Sequence, residues 1–136
     1  MGWLKVKINV DTNVLIRAVV RDDKIQSKLA IKVLTEADLI AIPLTCLCEF
    51  VWVLLKVYRF ETSDIAAAIR ALIAAENVQT NRPAVEVGLL MLENGGDFAD
   101  GVIAYEGAWL GGETFVSFDK KAVALVKAQG QSTRLL

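Results

Sequence analysis

Hydrophobic residues recur along the chain with two different periods. A two-residue alternation over 5–10 predicts a strand. Apolar runs at 39–42 and 114–118 predict two more, and 78–80 fits a short one. Apolar residues spaced three and four apart predict seven helices, over 14–20, 26–35, 45–58, 62–75, 83–92, 97–110 and 119–129. Residues 133–136 fit a last edge strand.

This order of strands and helices predicts a fold class. Strands that alternate with helices form βαβ units with right-handed crossovers, and hence a mainly parallel sheet with helices on both faces. No repeat, low-complexity segment or linker interrupts the 136 residues, so we expect a single domain over 1–136. Thr45 and either Thr62 or Ser63 are the expected N-caps of two of the helices.

The composition excludes several classes of active site. The net charge of -1 provides no overall field for nucleic acid, so such a contact needs a local patch or a bound metal. The chain has no histidine, which excludes a catalytic triad and every His-ligated metal. Cys46 and Cys48 are too few for a structural zinc site. As free thiols in an apolar run, they indicate a reducing, cytoplasmic compartment.

The apolar segments do not predict a membrane protein. Residues 1–10 lack the long apolar core and the cleavage site of a signal peptide. The apolar run 39–55 contains Pro43 and Glu49 and falls just short of a membrane span. We therefore expect this run to be buried in protein.

Five acidic residues fall where the predicted strands end or the predicted helices begin. Asp11 follows the first strand, Glu49 lies early in the helix after the second strand, and Asp119 follows the strand at 114–118. Asp97 and Asp100, three residues apart, open the helix before that strand. Because sites in parallel sheets form beyond the carboxyl ends of the strands, we expect these acids to converge at one edge.

Helix capping is the structural alternative for the aspartates. Asp11 and Asp119 stand where an aspartate commonly caps a helix, and the same holds strongly for Asp97. Capping explains Asp100 less well, because its carboxylate is not needed by the backbone once Asp97 caps the helix.

Glu49 has a different alternative. It is the only acid in an apolar stretch, and a buried carboxylate needs a partner or a metal. Otherwise it lies on a narrow exposed strip of the helix, or forms an ion pair with Arg17 or Lys56.

Several carboxylates at one edge repel each other unless a cation lies among them. Oxygen ligands without imidazole or thiolate select Mg²⁺ or Mn²⁺. Such an ion holds a phosphate oxygen and lowers the pKa of a bound water. The acids therefore suit phosphodiester hydrolysis.

Four segments resemble, in the same order, the motifs of PIN-domain proteins. They are VDTNVLIR at 10–17, LCEFVWVL at 47–54, DFADGVIA at 97–104 and TFVSFD at 114–119. In size the chain is most similar to VapC-type toxins of toxin–antitoxin pairs. The resemblance implies a three-layer α/β/α fold with a mainly parallel sheet of four to five strands. It also implies an endoribonuclease that depends on Mg²⁺ or Mn²⁺.

The resemblance further implies which residues and partners take part. Asp11, Glu49, Asp100 and Asp119 would form the catalytic and metal-binding acids, with Asp97 as a weaker fifth ligand. A homodimer and a VapB-type antitoxin, whose tail occupies the groove of the toxin, are the implied partners. Gly101 stands where the family usually has a residue such as Ala, and we expect it to loosen the helix beside Asp100.

Four more residues are weaker candidates for substrate contact. Arg17, close to the first acid, is a candidate for a phosphate contact, although an ion pair or a surface position explains it equally well. Thr12, Asn13 and Ser117 are candidates for orienting water.

Two other classes of function remain open. One is an aspartate-based phosphotransfer domain with Asp11 as the nucleophile. However, Asn13 stands where dehalogenase-type phosphatases have a second aspartate, and Asp119 stands where a response-regulator receiver needs a lysine. The other is a non-catalytic interaction domain that keeps a relict acid pocket.

Overall fold

A computed structural model describes residues 5–136 of the chain. In this part, the helices are α1 (Thr12–Val19), α2 (Lys24–Glu36), α3 (Leu44–Lys56), α4 (Thr62–Ala74), α5 (Arg82–Glu93), α6 (Phe98–Trp109) and α7 (Lys120–Ala128). The strands are β1 (Lys7–Asn9), β2 (Leu39–Ala41), β3 (Val78–Gln79), β4 (Thr114–Ser117) and β5 (Ser132–Leu135). The expectations for a leader and for the domain range fall partly on residues 1–4, which lie outside the described residues.

The chain forms two compact units, and the first ends at Asn81. Its three strands make a parallel sheet in the order β1-β2-β3, with Ile8, Ile40 and Val78 in register. Phe50 of α3 and Ile69 of α4 are fully buried in this unit, as the apolar spacing of both helices requires.

The second unit begins at Arg82 and contains α5, α6, β4, α7 and β5. Strands β4 and β5 pair in parallel, and α7 is the crossover between them. Met91, Ala104 and Val126 form a buried cluster against which Phe115 of β4 packs. This cluster joins three helices to the inner face of the sheet.

The α/β fold with parallel strands is confirmed, with three differences in detail. Backbone hydrogen bonds join the five strands of the described chain into one three-stranded and one two-stranded sheet. Strand β4 is half-exposed rather than buried, because its residues alternate between an exposed and a partly covered face. The N-caps of α3 and α4 are Pro43 and Glu61, not the hydroxyl residues, and neither makes a side-chain cap bond.

The apolar run at 39–55 divides into β2 and the greater part of α3. Within residues 5–136 no helix has the length and apolar character that a membrane crossing requires.

Candidate active site

In the first unit, Asp11 lies just beyond the end of β1 and caps α1. Its Oδ1 accepts the backbone N–H of Thr12 at 2.8 Å, so the capping role considered for this residue is real. The side chain of Asp11 is nevertheless exposed. One carboxylate oxygen therefore supports the helix while the residue stays accessible to solvent and ligands.

Thr12 connects Asp11 with the second acid. It is buried, and its Oγ1 donates a hydrogen bond to Glu49 Oε2 at 3.4 Å. The Thr12 hydroxyl therefore donates its proton to Glu49, and this hydrogen bond fixes the position of the Glu49 carboxylate.

Glu49 is exposed, so the expectation that it needs compensation for burial is wrong. Helix α3 buries its opposite side, and Glu49 shares an exposed strip with Thr45 and Trp52. No ion pair links it to Arg17 or Lys56 among the described residues. Of the alternatives considered for this acid, the exposed strip is the correct one.

Two cavities of the first unit share Asp11, Thr12 and Glu49 as lining residues. The cysteine-side cavity, about 330 Å³, is completed by Asn9, Val10, Pro43, Thr45 and Cys46. The arginine-side cavity, about 370 Å³, is completed by Asn13, Ile16, Arg17, Val53 and Tyr58. Both acids are therefore accessible from two sides.

Cys46 is not suited to act as a ligand or nucleophile beside these acids. Burial raises the pKa of its thiol; a hydrogen bond with Thr12 opposes this, and the charges of Asp11 and Glu49 add to it. Because only the thiolate binds metal or attacks, the protonated thiol behaves as a small apolar group. Oxygen atoms remain the donors of this unit.

In the second unit, Asp119 follows β4 and caps α7, as predicted. Its Oδ1 accepts the backbone N–H of Ala122 at 3.0 Å. The backbone N–H of Asp119 itself donates to Ser117 Oγ at 3.0 Å. Ser117 thus fixes the turn that presents Asp119.

Asp97 occupies the N-cap position of α6, but its side chain makes no cap hydrogen bond. The N-cap position predicted for Asp97 is therefore confirmed, but its carboxylate does not make the hydrogen bond of a cap. Asp100, in the first turn of the helix, is partly buried. Burial, followed by the charges of Asp97 and Asp119, raises the pKa of the Asp100 carboxyl. The charges of Asp97 and Asp119 therefore both act on the Asp100 carboxylate.

Gly101 tightens the structure beside Asp100 instead of loosening it. It is buried inside α6, and a Cβ at this position would lie 2.8 Å from Gly88 Cα and from the Val87 carbonyl oxygen. The expectation from helix propensity is wrong because it ignores α5. The absent side chain lets the two helices pack closely and holds the start of α6 in place.

The donor atoms of both units are suited to a hard divalent cation. Each unit presents carboxylate oxygens without imidazole or thiolate, which is the ligand chemistry of Mg²⁺ and Mn²⁺. Across residues 5–136, no three His, Cys, Asp or Glu side chains are grouped closely enough to hold a metal by themselves.

Sequence reasoning missed two residues of the first unit. Asp22 accepts a hydrogen bond from Arg17 Nη1 at 2.9 Å, and its second oxygen accepts one from the Tyr58 hydroxyl at 3.5 Å. The ion pair considered for Arg17 therefore exists, but with Asp22 as the partner. The sequence contains no local signal for Tyr58, since it is 36 residues away from Asp22 along the chain.

Comparison with known proteins identifies the family. The family model of the PIN domain matches residues 8–127, which is most of the chain. A search of curated proteins with this chain found no match. PIN domains are generally nucleases that use divalent metal ions. The helices and parallel strands described above fit their α/β/α fold. The chain belongs to the PIN-domain family.

Proposed function

We propose that the chain is a Mg²⁺- or Mn²⁺-dependent endoribonuclease, the toxin of a VapBC-type pair. The observation that carries this proposal is the family match over residues 8–127. Within this range, Asp11 and Asp119 follow parallel strands, and Asp97 and Asp100 lie at the start of α6. Glu49 lies in the second turn of α3 on its exposed side. Nuclease activity is the general property of the family, whereas RNA as substrate and the toxin role are the specific parts of the proposal.

In this proposal the metal-binding acids are Asp11 and Glu49 in the first unit and Asp100 and Asp119 in the second, with Asp97 as a weaker ligand. When bound, a divalent cation supplies Lewis acidity toward a phosphate oxygen and neutralises negative charge around the scissile bond. The raised pKa of Asp100 supports this assignment, because a carboxylate whose ionised form is destabilised by burial and by neighbouring charges gains most from a bound cation.

The remaining residues act by binding and orientation. Thr12 orients Glu49 through its hydroxyl, and Ser117 orients Asp119 through the backbone N–H of the latter. Both hydroxyls keep hydrogen-bonding capacity beyond these contacts, so the water-orienting roles of Thr12 and Ser117 stay part of the proposal. Asn13 is exposed in the arginine-side cavity and is a donor for substrate or water, and Arg17 is the cation for a phosphate.

The partners in this proposal are RNA, a VapB-type antitoxin and a second copy of the chain. Large apolar side chains exposed at the end of α6 support partner binding: Trp109 is 76% exposed and Leu110 is 89% exposed. Induced expression is expected to stop growth, and co-expression of a cognate VapB-type antitoxin should restore it. Light scattering on the purified chain measures whether it is a homodimer.

The direct test is cleavage of total RNA by antitoxin-free protein in Mg²⁺, Mn²⁺ or EDTA. Asp11→Asn and Asp100→Asn are expected to abolish cleavage while leaving the thermal melt close to or above that of the wild type. Glu36→Gln and Glu113→Gln, which remove exposed acids outside the proposed set, serve as matched controls and should cleave normally.

Three results would contradict the proposal. Cleavage that continues in EDTA would show that the reaction does not depend on a metal. Formation of an acid- and base-labile acyl phosphate at Asp11 would indicate phosphotransfer. Partner binding without cleavage or metal dependence, in a well-folded protein, would indicate an interaction domain.

A further inference from the structure

The arginine-side cavity contains side chains that binding a metal ion does not require. Asp11 and Glu49 lie on its wall, and so do a guanidinium, a phenol and two aliphatic side chains, from Arg17, Tyr58, Ile16 and Val53. Its volume of about 370 Å³ falls within the range of small-ligand sites. The cavity is therefore large and varied enough to hold part of a substrate beside the acids.

Arg17 is held in place at this cavity. Its Nη1 donates to Asp22 Oδ1 at 2.9 Å, with the two side chains 30% and 50% exposed. The Ser27 hydroxyl donates to the backbone carbonyl of Arg17 at 2.8 Å and ties the start of α2 to α1. Since a guanidinium has five N–H donors, most remain available after the bond to Asp22.

The same carboxylate also orients the aromatic ring. Asp22 Oδ2 accepts from the Tyr58 hydroxyl at 3.5 Å, so one aspartate contacts both the cation and the phenol of the cavity. An exposed ion pair contributes little to stability. Orientation of Arg17 and Tyr58 is the larger consequence of this arrangement.

We propose that the arginine-side cavity binds the nucleotide next to the scissile phosphate, with Arg17 on its phosphate and Tyr58 beside its ribose or base. Asp22 is a positioning residue that acts through Arg17 and Tyr58. The proposal rests on the proposed ribonuclease function and names the substrate contacts of that site.

Charge distribution favours a nucleotide over an acidic peptide. Carboxylates and a guanidinium line one cavity, so a fitting ligand carries its negative charge at one end and a neutral, partly apolar group at the other. A nucleotide has this form, whereas repeated carboxylates of a peptide would face Asp11 and Glu49. The planar guanidinium also matches the oxygens of a phosphate.

Binding of RNA without cleavage tests the subsite. The probe is a fluorescent pool of random-sequence single-stranded RNA, measured by anisotropy in EDTA and in the Asp100→Asn background, so that no strand is cut. Arg17→Ala is expected to weaken binding about tenfold or more. It should also lower the slope of log affinity against log salt by about 0.7, the value for one phosphate on a single strand. The control is Arg21→Ala, which removes an exposed cation from the loop that carries Asp22.

Asp22→Asn gives the sharper result. Removing a negative charge would strengthen RNA binding if only net charge mattered. We expect the opposite, a roughly three- to tenfold loss of affinity from the misplaced guanidinium, within the range of one charged hydrogen bond. Asp22→Glu should retain part of the RNA affinity that Asp22→Asn loses. In the cleaving protein, Asp22→Asn should raise KM with kcat nearly unchanged.

The outcomes separate this inference from the proposed function. Metal-dependent cleavage with a wild-type KM in Arg17→Ala would overturn the subsite and leave the nuclease intact. RNA binding that requires Arg17, in a protein that never cleaves, would support the subsite and overturn the nuclease. Equal binding by Arg17→Ala and Arg21→Ala, tighter binding by Asp22→Asn, or no binding by the parent protein would each overturn the subsite.

Discussion

The acids of the two units are held in different ways. In the first unit, Thr12 donates its backbone N–H to Asp11 and its hydroxyl to Glu49, so both carboxylates have a neutral donor. In the second unit, Asp119 has such a donor, whereas the side chain of Asp97 makes no cap hydrogen bond. Burial and then two like charges raise the pKa of Asp100.

This difference shows which acids folding alone can explain. Asp11 and Asp119 each complete the first turn of a helix, and a folding role accounts for their presence. Asp100 makes folding less favourable at neutral pH, because its ionised form is partly buried and repelled. Groups that oppose stability in this way tend to occur at functional sites, so Asp100 is the strongest indication of function in the second unit.

The largest expected effect tests whether the two units serve one reaction. Asp11→Asn and Asp100→Asn should each reduce the rate of RNA cleavage by at least about a hundredfold. Groups that act together lose activity non-additively, so the double variant should be hardly slower than either single variant. Single-turnover rates measure this. Multiplied losses in the double variant would show that the two acids act independently.

Close packing of α5 and α6 is expected to have the next largest effect. Gly101→Ala places a methyl group 2.8 Å from backbone atoms of α5 and should lower the free energy of unfolding by about 1–3 kcal/mol. Gly107→Ala in the same helix meets no atom within 4 Å and should raise it by up to about 1 kcal/mol through helix propensity. Urea unfolding of both variants measures these changes. A Gly101→Ala variant more stable than the wild type would mean that α5 shifts to accommodate the methyl group at little cost.

Asp119 allows folding and function to be separated at one residue. Asp119→Ala removes the bond to the Ala122 N–H and should reduce stability by about 1 kcal/mol. Asp119→Asn keeps a good N-cap and should melt close to the wild type, yet fail to cleave RNA. Normal cleavage by Asp119→Asn would leave Asp119 with its capping role alone.

Local patterns predicted most of the fold. Apolar spacing gave the seven helices to within a few residues, and the aspartates before α1 and α7 cap them as predicted. The division of the strands into two sheets depends on hydrogen bonds between distant segments, which a local pattern does not contain. The exposed face of β4 was missed for a related reason, because burial depends on what packs against a strand.

The candidate site shows the same limit at the level of single residues. The exposure of Glu49 could have been predicted from the sequence, since Thr45, Glu49 and Trp52 fall on one side of a helix. The close packing at Gly101 could not, because its neighbour Gly88 lies in another helix. The pairing of Arg17 with Asp22 was also missed, as it depends on the turn between α1 and α2.

Asp100 permits the finest test of the contrast between the units. Because burial and then the charges of Asp97 and Asp119 raise its pKa, the folded protein holds this proton more tightly than the unfolded chain. The resulting stability is fully present below the pKa of the unfolded chain and is lost as pH rises through the higher pKa of the folded state. At neutral pH the wild type therefore carries an unfavourable charge that Asp100→Asn lacks.

The urea midpoint of Asp100→Asn should accordingly exceed that of the wild type at neutral pH, and the difference should shrink as the pH falls through the range where Asp100 binds its proton. Asp97→Asn removes one of the repelling charges and should give a smaller gain with the same sign. Equal midpoints for Asp100→Asn and the wild type at neutral pH would mean that solvent already compensates this charge. In that case the ionised acids of the second unit would cost the folded state no more free energy than those of the first.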